Sequence, residues 1–146
     1  MRPSKKQYYL QIATMVSLRS TCIRRQYGAV IVKDDIIVAT GYNGSPRGET
    51  NCCDVGICLR NQLGVPAGER YELCRSVHAE QNAIIQAGFQ RTKGAILYLA
   101  GNEVCDDGEL NMIRDPKPCK MCWRFIKNAG IEKVVTIGGT LHDENG

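Results

Sequence analysis

The chain has 146 residues, of which 43% are apolar and 23% charged, enough for one packed core and too hydrophobic for a disordered chain. Nineteen Lys+Arg against fifteen Asp+Glu give a net charge of +4, which is too mild to be a nucleic-acid footprint and suits a soluble surface or a small anionic ligand. No apolar run reaches the ~18–20 residues of a membrane span, and the basic start Met1–Gln7 leads into no apolar stretch of the kind a secretory leader needs. A cytoplasmic protein forming one domain over residues 1–146, with no membrane and no nucleic-acid partner, is the expectation.

In chain order, Tyr9, Ile12, Ala13 and Val16 fall on one helix face and predict a helix over Ser4–Arg19, with Ser4 as cap. Tyr27–Val32 and Ile36–Tyr42, rich in Val, Ile and Tyr, read as a hairpin turning at Lys33-Asp34-Asp35. Gly41, Gly44, Pro46 and Gly48 then break regular structure, and residues 49–76 are polar and hold no clear period. A helix over His78–Ala87 is expected to stop at Gly88, with a short buried strand at Ala95–Leu99. Residues 101–117 are polar and acidic. Pro118 opens a further helix to Asn128, Lys133–Ile137 is a last strand, and the tail from Gly138 is expected to be loose. Alternating strands and helices imply an α/β architecture with helices covering a sheet.

Eight cysteines are many for a chain in a reducing compartment, where such clusters bind metal more often than they form disulfides. Cys119 and Cys122 lie one turn apart at a helix start, where the helix dipole favours thiolate. By themselves they fit a redox pair, half of a structural zinc site, or part of a catalytic one. One of only two histidines, His78, stands two residues before Glu80 at another helix start. His78, Cys119 and Cys122 would make three protein ligands and leave one tetrahedral position open, the mark of catalytic zinc. Glu80 would then carry protons without binding the metal. The plainer role for Glu80, a first-turn acid complementing the dipole, has no need of the other three residues.

His-x-Glu followed by Pro-Cys-x-x-Cys is the signature of zinc deaminases of nucleobases. With Gly28-Ala29-Val30-Ile31-Val32, Gly41-Tyr42-Asn43-Gly44-Ser45-Pro46-Arg47-Gly48 and Cys74-Arg75-Ser76-Val77-His78-Ala79-Glu80, the chain resembles the deoxycytidylate deaminase family of the cytidine deaminase superfamily over about residues 20–138. The resemblance implies a three-layer α/β/α sandwich with a central mixed sheet and zinc-dependent conversion of dCMP to dUMP and ammonia. It also implies a homo-oligomer, often a hexamer, and in many members regulation by dCTP and dTTP. Asn43, Gly44, Arg47, Gly48 and Ala79 match substrate- or effector-contact positions, and Arg47 would pair with phosphate while nearby glycines admit its oxygens to the backbone.

In some members of that family a second, structural zinc is held by further cysteines, and Cys22, Cys52, Cys58 and Cys74 form the matching set here, with Cys53 spare and Cys105 unassigned. Such an ion would order residues 49–76, which have little apolar content of their own. Buried free thiols are the alternative. Residues 101–117 exceed the family pattern and would lid the pocket, alter substrate choice or extend a subunit contact. The family's fifth strand and C-terminal helix are expected to be reduced or missing. Deamination of another cytosine nucleotide or nucleoside, and a non-catalytic zinc module, are the competing readings. An RNA-editing role lacks the basic groove and aromatic platform it would need.

Overall fold

The computed structural model describes residues 1–145. Helix α1 spans Lys5–Ser17 and β1 Arg25–Lys33; β2 covers Ile36–Tyr42, and the short helices α2 and α3 cover Cys52–Val55 and Leu59–Gln62. A 3₁₀ turn at Tyr71–Leu73 precedes α4, Ala79–Ala87, and α5, Phe89–Thr92. Strands β3 (Ile96–Val104) and β4 (Leu110–Met112), helix α6 (Lys120–Asn128) and strands β5 (Lys133–Thr136) and β6 (Gly139–Leu141) complete the chain.

The strands form one mixed sheet in the order β2-β1-β3-β5-β6, with β4 folded back on the far end of β3. Strand β1 is antiparallel to both β2 and β3, whereas β3 and β5 run parallel through the α6 crossover. The period-2 alternation of β1 divides the core between the two faces. Val30 and Val32, with Tyr98 and Val135, pack under Tyr9 and Ala13 of α1. Ala29 and Ile31, with Leu97, Leu99 and Val134, pack against Ala79, Ala83 and Ala87 of α4 and Trp123 and Ile126 of α6. Helix, sheet and helices therefore make the three layers expected.

Local chemistry accounts for the element ends. The Ser4 hydroxyl accepts from the Gln7 N–H at 3.1 Å and the Gln7 side chain accepts from the Ser4 N–H at 2.9 Å, a reciprocal cap on α1. Asp34 and Asp35 take positive φ values of 51° and 63°, the turn that matches the twist of the β1–β2 hairpin. Helix α4 stops at Gly88, whose φ of 77° suits glycine.

Two expectations need correction, and one unassigned stretch gains its elements. The strand predicted at Ala95–Leu99 runs on to Val104 and turns back as β4, so part of the polar 101–117 segment is a hairpin extending the sheet. The segment from Gly138 is not loose throughout: β6 pairs with β5 from Thr136/Gly139 to Val134/Leu141, which leaves the fifth strand of the main sheet path in the reduced form expected. Residues 49–76 contain α2, α3 and the 3₁₀ turn. All are edge strands or single turns held by tertiary contacts, and none carries a period long enough to read.

Candidate metal centre and cavity

The small residues of α4 bring this helix close to the sheet. Ala79 and Ala83 are fully buried, and Gly41 of β2 lies directly beneath them, where any Cβ would fall 2.4 Å from the Ala83 nitrogen and 2.5 Å from the Ala79 carbonyl oxygen. That close seat fixes the start of α4, and with it His78 and Glu80. His78 is the cap residue, with extended backbone and its N–H donated to the Gln81 side chain at 3.1 Å. Just before it, Val77 exchanges two backbone hydrogen bonds with Gly44 (3.1 and 2.7 Å), tying the loop after β2 to the helix start.

Helix α6 approaches from the side. Pro118 precedes its cap, Cys119, whose sulfur accepts from the Cys122 N–H at 3.4 Å. Trp123 and Ile126 anchor its inner face in the core. The two helix starts thus meet. His78 Nδ1 stands 3.2 Å from Cys122 Sγ and 3.6 Å from Cys119 Sγ, and the three donor atoms lie within 4.8 Å of one another. Neighbouring N and S ligands on a tetrahedral zinc are roughly 3.5–3.8 Å apart, given bond lengths near 2.0 and 2.3 Å. The spacing and the donor set, one imidazole and two sulfurs, therefore fit zinc.

The three donor groups are electrostatically coupled. Hydrogen bonding from Cys122 brings the Cys119 thiol down to about 4, with His78 helping, so Cys119 carries the negative charge; the same contact, with burial, pushes Cys122 up. The hydrogen bond to Cys119 raises His78. Glu80 is 5% exposed, and burial pushes its carboxyl upward.

His78, Glu80 and Cys119 line a cavity together with Tyr27, Asn43, Tyr71 and Ala79. Asn43 is buried and grips β1, its Oδ1 accepting from the Tyr27 N–H (2.8 Å) and its Nδ2 donating to the Arg25 carbonyl (2.9 Å). Its second amide hydrogen has no partner among the described residues. Of the other resemblance-derived contacts, Ala79 lines the cavity, whereas Gly44, Arg47 and Gly48 do not. The loop turns away once Gly44 is bridged to Val77, and Gly48 instead borders a separate shallow groove with Ser45, Cys74 and Arg75. The cationic residues that do line the cavity are Arg24, Arg25, Arg60 and Lys117, against the single carboxylate of Glu80. Sequence reading missed all four, together with Tyr27 and Tyr71, because they come from separated segments that only the fold juxtaposes.

Cys22, Cys58 and Cys74 line the same cavity, and the Cys52 thiol, raised chiefly by burial, also feels all three. Among the described residues, however, His78, Cys119 and Cys122 are the one group of three or more donors within 4.8 Å. Cys53 is exposed, and Cys105 accepts a hydrogen bond from Asn111 at 3.2 Å. No described helix is long and apolar enough to cross a membrane.

Comparison with known proteins points the same way. The family model for the cytidine and deoxycytidylate deaminase zinc-binding region matches residues 3–137. A deoxycytidylate deaminase of Schizosaccharomyces pombe is 37% identical over 135 residues, covering 92% of this chain, though the chain spans only 37% of that relative's length. The deoxycytidylate deaminase of Mycobacterium phage D29 is 37% identical over 139 residues, covering 92% of this chain and 94% of the phage protein. The crystal structure of the dCMP deaminase from cyanophage S-TIM5 in complex with dCMP and dUMP superposes with a TM-score of 0.61 at 28% identity, over 93% of this chain and 82% of that one.

Proposed function

The chain belongs to the cytidine and deoxycytidylate deaminase zinc-binding family, and from that premise we propose that it converts dCMP and water to dUMP and ammonia. The observation that carries this reading is the convergence of His78 Nδ1 and the sulfurs of Cys119 and Cys122 beside the buried Glu80 carboxyl. Zinc held by those three atoms would supply the Lewis acidity that makes water a nucleophile near neutral pH. Glu80 handles the protons. It accepts one from the attacking water, passes it to the ring nitrogen, and delivers the next to the departing amino group, so that ammonia leaves as the ring carbonyl forms. Burial suits it to both roles by raising its proton affinity. Asn43 and Tyr27 bound the base and sugar, and the cavity's cationic rim matches a phosphate monoester.

The test is ammonia release from dCMP, deoxycytidine, CMP and dCTP by zinc-loaded protein, with Glu80→Ala as control. The proposal predicts preferred turnover of dCMP and a fall of about 100- to 10,000-fold in the variant, with zinc retained. Turnover of deoxycytidine in preference to dCMP would favour a nucleoside enzyme. No turnover of any cytosine compound would favour a non-catalytic zinc module.

Four finer points belong to the same reading. A second zinc would be held by Cys22, Cys52, Cys58 and Cys74, supported by the mutual influence of these thiols; about two zinc ions per chain supports it and about one removes it. The chain would act as a homo-oligomer, a hexamer on the family pattern, supported by Ile85, Phe89, Met121 and Phe125 standing exposed on helices α4–α6. Effectors such as dCTP and dTTP would meet the Gly44, Arg47 and Gly48 loop, and a titration of dCMP turnover with each nucleotide tests this. A reducing, cytoplasmic setting fits eight free cysteines.

A further inference from the structure

The polar segment between β2 and α4 does more than connect them. Arg60, on α3, is only 7% exposed, a place where an arginine needs compensation. Among the described residues it receives no carboxylate. Instead its Nε donates to the Glu69 carbonyl (3.1 Å), and its Nη2 donates to the carbonyls of Glu69 (2.8 Å) and Pro66 (2.9 Å). So fixed, the guanidinium lies 4.9 Å from the centre of the Tyr71 ring. The Tyr71 ring in turn meets the His78 imidazole at a centroid distance of 5.3 Å and an interplanar angle of 85°.

An imidazole that binds metal through one nitrogen is ordinarily aligned by a hydrogen bond from the other to a carboxylate or carbonyl. His78 directs Nδ1 at the two sulfurs, and among the described residues no protein acceptor is paired with its Nε2. The edge-on contact with Tyr71 stands in that place.

Resting on the reading of His78 as a zinc ligand, we propose that Arg60 and Tyr71 are a positioning pair: Arg60 holds the Tyr71 ring, and the ring fixes the plane of the His78 imidazole. The segment carrying Cys52, Cys58 and Cys74 is thereby coupled to the metal centre through an aromatic contact, and a change in that segment alters how firmly zinc is held.

Zinc release to a chromophoric chelator tests this without reference to turnover. The phase belonging to this site is identified by its loss in Cys119→Ser. The absorption spectrum of cobalt-substituted protein reports the ligand geometry alongside. Tyr71→Leu is expected to release zinc about 10- to 100-fold faster and to shift the cobalt bands. Tyr71→Phe, which keeps the ring, is expected to restore both. Arg60→Lys is expected to fall between, because an ammonium cannot lie flat on a ring while donating in plane to two carbonyls. Should Tyr71→Leu fail to fold, the Tyr71→Phe and Arg60→Lys comparison still decides. Wild-type release and an unshifted spectrum in folded Tyr71→Leu or Arg60→Lys, or Tyr71→Phe as impaired as Tyr71→Leu, would overturn the proposal. Wild-type protein that holds zinc yet releases no ammonia would instead sink the deaminase reading and leave this one standing.

Discussion

Gly41→Ala puts the seat of α4 to the test. A Cβ at Gly41 would lie 2.4 Å from the Ala83 nitrogen and 2.5 Å from the Ala79 carbonyl oxygen, where ordinary contact begins at 3.4 Å. Both offended atoms are helix backbone, so no side-chain rotation relieves the clash, and α4 must move off the sheet by about 1 Å. His78 caps this helix and Glu80 sits in its first turn. Misplacing a catalytic group by about 1 Å costs roughly 100-fold in rate. Overpacking of this kind costs about 1–3 kcal/mol of stability, or a fall in Tm of about 3–10 °C. Gly28→Ala is the matched control. Its Cβ would meet Ala13 and Ser17 backbone of α1 at 2.0 and 2.6 Å, a clash whose nearest approach is closer still, on the opposite face of the sheet. Thermal melts, zinc analysis and kcat per zinc-loaded molecule should therefore separate the two. Both lose stability, but Gly41→Ala alone loses about 100-fold in kcat. Full kcat in Gly41→Ala, or equal loss in both variants, would refute the claim that the α4 seat sets the geometry of the centre.

Arg24→Ala combined with Lys117→Ala should raise the KM for dCMP by about 10- to 100-fold and leave turnover of deoxycytidine unchanged, since both cations line the cavity and a hydrogen bond to a charged group is worth about 1.5–3 kcal/mol; equal effects on both substrates would remove the phosphate role. Asp35 accepts from Lys5 and Tyr9, both at 2.8 Å, and these bonds hold its carboxyl below the ordinary range. A depressed carboxyl adds stability above its unfolded value of about 4 and loses it as pH falls through the folded value. The gap in Tm between wild type and Asp35→Asn should thus narrow on acidification toward pH 3. For Tyr9 the sign reverses: burial, aided by Asp35, pushes its phenol up to about 12, so its contribution is whole below about pH 10 and is lost as pH rises through about 12. In Tyr9→Phe that alkaline loss should be absent from the melting curves.

The parts of the molecule readable beforehand share a physical property. Helix α1, the β1–β2 hairpin, α4 and α6 carry their periods, caps and stops within a few residues, and the local signal suffices. Strands β4 and β6 do not: each has three residues and exists because β3 or β5 offers an edge. The cluster of His78, Cys119 and Cys122 was legible for the same local reason, since His78 and Glu80 are neighbours, as are Cys119 and Cys122, and their residue types admit few chemistries. The cavity wall was not. Arg24, Arg60, Tyr71 and Lys117 are unremarkable in sequence and gain meaning from tertiary placement. Arg47 shows the converse: its motif suggested a phosphate contact, yet one backbone bridge at Gly44 carries the loop away from the cavity.

The most direct test of the account is an anomalous-difference map at the zinc edge from crystals of the purified protein. A peak bonded to His78 Nδ1, Cys119 Sγ and Cys122 Sγ is expected, with a fourth, non-protein ligand facing the Glu80 carboxyl. A peak there completed by a fourth side chain, or no metal between these three residues in active protein, would contradict it.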